Sequence, residues 1–169
     1  HLVNGLEVGI DEDCSTIIAR RQPAAGDLRM VMTVVKTITD LERIGDEAAK
    51  IARMAKLIYS ADRLQQPRTA EIRRMSQMAL EMLRKSLDAF ARLDVAASAE
   101  VVRRDQHVDE EFRGVLRQLI TFMMEDPRTI SVSIEILFIA KAIERIGDHA
   151  KNISEYVIYM VTGKDVRHV

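Results

Sequence analysis

The chain has little with which to build a β-sheet or a covalently stapled fold. Its 169 residues include one cysteine, three prolines, seven scattered glycines, no tryptophan and only 4% aromatics. A lone thiol, Cys14, excludes an internal disulfide and fits a reducing cytoplasm. With Ile17 and Ile18 at i+3 and i+4, it reads as a core position rather than a nucleophile. No segment alternates as a strand does, and aromatic and β-branched runs are too sparse to favour one. The 25 basic and 26 acidic residues leave a net charge of −1, so there is no extended positive field for nucleic acid. The most apolar stretch, 130–143, is broken by Glu135 and Lys141. It falls short of the roughly 20 apolar residues that span a bilayer, and the visible start does not read as a signal peptide. A Walker loop, a Gly-x-Ser-x-Gly elbow, a dinucleotide glycine fingerprint and a Cys/His pair at ligand spacing are all missing, which argues against nucleotide, hydrolase and structural zinc chemistry.

What is present is helix-forming: Ala, Leu, Met, Arg and Glu dominate, and 47% of the chain is hydrophobic, enough to bury a substantial core. The expectation is an all-α protein. A first helix runs from about Leu2 to Arg20 with Leu6, Ile10, Cys14, Ile17 and Ile18 on one side. The link 22–26 breaks it, and Asp27 is expected to cap a long second helix from Leu28 to about Ser60. A polar linker at 62–68, with Pro67, separates the halves. Thr69 opens a third helix carrying Ile72, Met75, Ala79, Met82, Leu83, Ser86, Leu87, Phe90 and Leu93, its methionines read as core filler. Asp94 caps a fourth helix to Glu125, the turn Asp126-Pro127-Arg128 follows, and a fifth helix runs from near Ser131 to Thr162 before Gly163.

One pentapeptide occurs twice. Glu-Arg-Ile-Gly-Asp fills 42–46 and again 144–148, 102 residues apart, the mark of an internal duplication. Residues 1–62 then form a first repeat of two helices and 69–163 a second, complete three-helix unit. Short connections make each unit an up-down bundle. His1 opens in mid-pattern, so the counterpart of the 69–93 helix is expected before it, outside this chain.

The helical wheel makes the pentapeptide a chemical question. Val31, Val34, Val35, Ile38, Leu41, Gly45, Ala48, Ala49 and Ala52 share one stripe at 100° per residue, with Glu42 inside it and Asp46 at its edge. In the second copy Ile136, Leu137, Ala140, Ile143, Gly147 and Ala150 make the same stripe, and Glu144 and Asp148 take the matching places. The fourth helix adds Asp105 and Asp109 near the centre of its stripe of Val101, Val102, Phe112, Leu116, Leu119, Ile120 and Met123. Four carboxylates from two adjacent helices are thus expected to face inward, and like charges so gathered require compensation. Bound cations would supply it, with oxygen ligands suited to Mg, Mn, Ca or iron. The alternative is neutralisation by Arg43, Arg145 and above all Lys151. His107 and His149 read as flank residues rather than ligands. For the first copy, two registers remain open, one setting Glu7 in the position of Asp109 and the other Asn4. Gly45 and Gly147 cost about 1 kcal/mol each in a helix, which close helix packing explains.

Carboxylate-bridged metals in helical bundles also serve oxidases and ferritin-like proteins through Glu-x-x-His ligands. That motif is absent, so a dimetal enzyme or a metal-storage protein is the alternative reading rather than the first. Asp27-Leu28-Arg29, Asp40-Leu41-Glu42-Arg43-Ile44-Gly45-Asp46 and the run Ala142 to Ile153, with the Gln22-Pro23 turn and the closing 163–168 segment, resemble the paired signatures of the PhoU family of phosphate-signalling regulators. The resemblance implies a cytoplasmic protein of two three-helix bundles, often a homodimer, with clusters of divalent or trivalent ions (Fe, Mn, Mg or Zn) at acid-x-x-x-acid motifs. These match Glu42 and Asp46 in the first repeat and Asp105, Asp109, Glu144 and Asp148 in the second. It further implies an adaptor rather than an enzyme, which represses the phosphate-starvation response and restrains phosphate uptake. Its partners would be the ATPase subunit of a phosphate ABC transporter and a membrane histidine kinase, with no nucleic acid and only peripheral membrane contact.

Overall fold

A computed structural model describes residues 2–60 and 70–166. Five α-helices account for the fold: α1 (Leu2–Arg21), α2 (Ala25–Ser60), α3 (Ala70–Arg92), α4 (Val95–Glu125) and α5 (Ile130–Thr162), with a 3-10 turn at Pro127–Thr129. No strand occurs among the described residues. The 62–68 linker and the Thr69 start lie outside them.

Local chemistry sets most of the boundaries. Asp94 caps α4, its side chain accepting from the Ala97 N–H at 2.9 Å, which satisfies one of the donors that a helix start leaves orphaned. Asp126 accepts from the Arg128 backbone N–H at 3.0 Å and from its Nε at 2.9 Å, closing the α4–α5 hairpin. Gly163, in the left-handed region at φ 71°, ends α5 by donating its N–H to the Tyr159 carbonyl at 2.8 Å, a backbone conformation only glycine adopts cheaply. Asp27 is not the cap expected of it. The Ala24 carbonyl already accepts from the Asp27 and Leu28 N–H groups, so α2 starts earlier, and Asp27 sits in its first turn, where a carboxylate favours the helix dipole.

The core lies between α3, α4 and α5. Met75, Met82, Val101, Val108, Ile143 and Ala150 are essentially inaccessible, and burying each large side chain contributes about 1.5–3 kcal/mol. Two of the expected methionines are therefore core filler in fact, as is Ser86. Leu87, Leu93 and Ile120 are exposed instead, because α3 and α4 turn slightly so that Ala89 and Val115 take the inner positions. Helix α2 also joins this core through Ile58, with Ile51 and Met54 packed against it.

Helix α2 corrects the expected stripe. Its buried residues are Thr33, Thr37, Ile38, Asp40, Ile44, Glu47 and Ile58, the face that lies along α5. Ala48, Ala49 and Asp46 are exposed, because the expected stripe turns toward the much shorter α1. Helix α1 itself buries only Cys14, whose thiol is pushed up by burial and by Asp11 and Asp13, as a core cysteine's should be. Leu6 and Ile17 of its expected inner side are exposed.

Candidate metal centre

Helices α4 and α5 are joined by four residues, 126–129, and run antiparallel, so Asp105 and Asp109, one turn apart, face Glu144 and Asp148, one turn apart. The four carboxylates feel one another. Burial first, then the charges of Glu144, Asp105 and Asp109, push the Asp148 carboxyl up to about 6, against a smaller pull from Lys141. Like-charge crowding of this kind marks a site short of positive charge.

Two lysines partly meet that need. Lys151 Nζ donates to Asp105 Oδ2 at 2.8 Å, and this bond chiefly holds the ammonium above its usual range. Lys141 Nζ donates to Glu144 Oε1 at 2.6 Å. Glu144 Oε2 is buried and lies 2.6 Å from the same ammonium without an aligned hydrogen bond, so Lys141 is shared between both oxygens of that carboxylate. Among the described residues no three Asp, Glu, His or Cys side chains already converge as ligands of one ion. The donor set is nevertheless of the kind a hard cation takes: all four acids offer oxygen, and one ammonium is shared between both oxygens of Glu144.

The first copy is built differently. A Cβ added to Gly45 would lie 3.9 Å from the Val3 side chain, as one on Gly147 would lie 3.6 Å from that of Val108. Val3 therefore corresponds to Val108 and Asn4 to Asp109, which favours the Asn4 register over the Glu7 one. Asn4 Nδ2 donates to Glu42 Oε1 at 3.2 Å, an amide where the second copy has a carboxylate. Glu42 is half-buried, and Asp46 is exposed rather than inward. Those approaches of 3.6 and 3.9 Å are ordinary contacts, so neither glycine is sterically forced.

The polar groups that α2 does bury are ones that hydropathy missed. Asp40 Oδ1 lies 2.6 Å from His149 Nδ1 and accepts from it in the tautomer that carries the proton there, and it also accepts from Asn152 Nδ2 at 3.4 Å. Glu47 pairs with Lys50 at 2.9 Å and Arg145 at 3.1 Å. His149 is thus turned away from the carboxylates, as a flank residue, while His107 is exposed. A signal was available: Thr33, Thr37, Asp40, Ile44, Glu47, Ile51 and Ile58 keep helical spacing, but four of these seven are polar and so escape an apolar count.

These features define an all-helical repeat protein whose distinctive chemistry is a crowded carboxylate cluster between two helices of one hairpin. The chain belongs to the PhoU domain family, which matches residues 1–55 and 72–157. It is 48% identical over 168 residues to the phosphate-specific transport system accessory protein PhoU homolog of Pseudomonas aeruginosa, covering 99% of this chain and 69% of that protein. It is 49% identical over 167 residues to the accessory protein PhoU of Escherichia coli, covering 99% and 68%. The crystal structure of PhoU from Pseudomonas aeruginosa superposes with a TM-score of 0.92 at 46% identity, covering 96% of this chain and 78% of that one. That of the phosphate transport system regulatory protein PhoU from Streptococcus pneumoniae gives 0.87 at 28% identity, covering 98% and 77%. The names these relatives carry are those of accessory and regulatory proteins, not of enzymes.

Proposed function

We propose that this chain is part of a metal-binding regulatory adaptor that represses the phosphate-starvation response and restrains phosphate uptake, by coupling the ATPase subunit of a phosphate ABC transporter to a sensor histidine kinase. Near-half identity along the whole chain to accessory proteins of phosphate transport supports the transporter side. The observation that carries the metal side is the four-carboxylate cluster, whose mutual repulsion two lysines meet only in part. Asp105, Asp109, Glu144 and Asp148 would hold the ion, with Glu42 and Asp46 forming a weaker first site, and a bound cation would supply the charge that two lysines leave unmet. The ion on this reading is Fe, Mn, Mg or Zn. The adaptor works through surfaces rather than bond-making: its two repeats, 1–62 and 69–163, joined at 62–68, present one side to each partner. The exposed apolar residues Leu2, Leu6 and Val8 of α1 and Met30 and Met32 of α2 support association with a second copy as a homodimer. Its compartment on this reading is the cytoplasm, beside the transporter. No helix among the described residues is long and apolar enough to cross a membrane itself. Nothing favours the dimetal-enzyme or storage alternative.

Two measurements test the reading. Deleting the gene should switch on phosphate-scavenging genes in phosphate-rich medium; unchanged repression would refute the adaptor role. Elemental analysis should find metal in the wild type and lose most of it in a Glu144→Ala, Asp148→Ala double variant, and equal metal content in both would remove the second copy from the site.

A further inference from the structure

On one face of α5 the residues 141, 144, 148 and 151 read Lys, Glu, Asp, Lys, at the i, i+3, i+7 and i+10 spacing that lines up along a helix. A lysine stands one turn beyond each acid. The corresponding residues of the first copy are Thr39, Glu42, Asp46 and Ala49, so the bracket of lysines belongs to the second copy alone. Both lysines are engaged inward: Lys151 crosses from α5 to Asp105 of α4 at 2.8 Å, and Lys141 reaches Glu144 at 2.6 Å. Neither is trapped. Their side chains remain 35% and 50% exposed against 6% for Asp105 and 12% for Glu144, and the Lys141 ammonium already lies 5.3 Å from the centre of the Phe112 ring, a second resting point.

Resting on the metal-centre reading above, we infer that Lys151 is a tethered counter-ion which stands between α4 and α5 in the metal-free protein and must leave Asp105 when a divalent cation is held there. Lys151 therefore lowers the site's affinity and keeps the empty hairpin closed. The charge balance supports this. Four carboxylates face two ammonium groups, and an entering divalent ion is drawn to the acids but repelled by a fixed ammonium that hydrogen-bonds one of them. Such a device makes the site bind only when free metal is plentiful, and it holds α4 against α5 when metal is scarce. Lys151 is a positioning residue, not a ligand.

The test is calorimetric titration of the full chain with Mn²⁺ alone, at fixed pH and ionic strength, on wild type, Lys151→Met and Lys151→Arg. Methionine keeps the stem and removes the charge. It should tighten Mn²⁺ binding about tenfold, the change that 1.4 kcal/mol of relieved repulsion produces, while arginine should stay near wild type. Metal-free Lys151→Met should melt below the wild type, and saturating Mn²⁺ should restore it. Binding that is unchanged or weaker in Lys151→Met, with wild type binding normally, overturns the inference and leaves the metal centre standing; weaker binding would show instead that Lys151 orients Asp105 as a ligand. Absence of Mn²⁺ binding in both proteins overturns the metal centre and this inference together. A helical circular dichroism spectrum for each variant excludes misfolding as the cause.

Discussion

The two copies of Glu-Arg-Ile-Gly-Asp have one sequence and two environments. In the first, α2 turns Asp40 and Glu47 toward α5, where His149, Asn152 and Arg145 pair with them beside α2's own Lys50, and the pentapeptide's own acids face an asparagine and open solvent. In the second, α5 offers Ala142 and His149 at the positions equivalent to Asp40 and Glu47, and the pentapeptide's acids crowd against Asp105 and Asp109. The first copy thus uses its buried charge to join the repeats, and the second accumulates it beside its hairpin partner. Identical residues do not make identical sites. What the neighbouring helix brings decides whether a carboxylate pair is paired, solvated or frustrated.

The hardest blow to this contrast is Asp40→Ala. Removing one member of a buried pair strands the other, so stability in urea denaturation should fall by about 3 kcal/mol. Glu47→Ala, whose cationic partners are 38% and 43% exposed, should cost only about 1 kcal/mol. Equal losses would mean that the seam is not organised around Asp40.

A middle-sized effect of opposite sign is expected in the second copy. The Asp148 carboxyl is pushed up to about 6, above its value in the unfolded chain, so its ionisation is penalised in the fold. The penalty is absent below about pH 4, grows as pH rises toward 6, and is constant beyond that. Metal-free Asp148→Asn should therefore be more stable than wild type by about 1 kcal/mol at pH 7.5, after allowance for solvent screening. The two should converge at pH 4, and a difference that does not depend on pH would refute the crowding.

The smallest change converts the first copy toward the second. Asn4→Asp replaces the hydrogen bond to Glu42 with a like charge, and should cost about 0.5 kcal/mol at low ionic strength, fading in high salt. Loss that persists in salt would show that the amide's geometry, not charge, matters there.

Much of this was legible in the chain. Asp94, the Asp126-Pro127 turn and Gly163 act over a few residues, so their helix boundaries follow from local hydrogen bonding. The facing of Asp105 and Asp109 by Glu144 and Asp148 followed from helical spacing plus a tight turn, because a short antiparallel hairpin leaves little freedom of register. The inner face of α2 was not legible. Two faces of that helix are apolar enough to bury, and the one chosen carries Thr33, Thr37, Asp40 and Glu47, residues that a hydropathy count assigns to water.

The sequence by itself determined an all-helical chain, its duplication, its family and the candidate carboxylates, since composition, periodicity and a repeated motif are written in local order. Only the tertiary structure decided that Asp46 faces solvent, that Asn4 stands where Asp109 would, that His149 belongs to Asp40, and that Lys151 reaches Asp105 of α4. Each of these depends on how one helix is rotated against another, and that rotation is set by summed packing across the whole interface, where a buried polar pair is acceptable wherever its partner happens to stand.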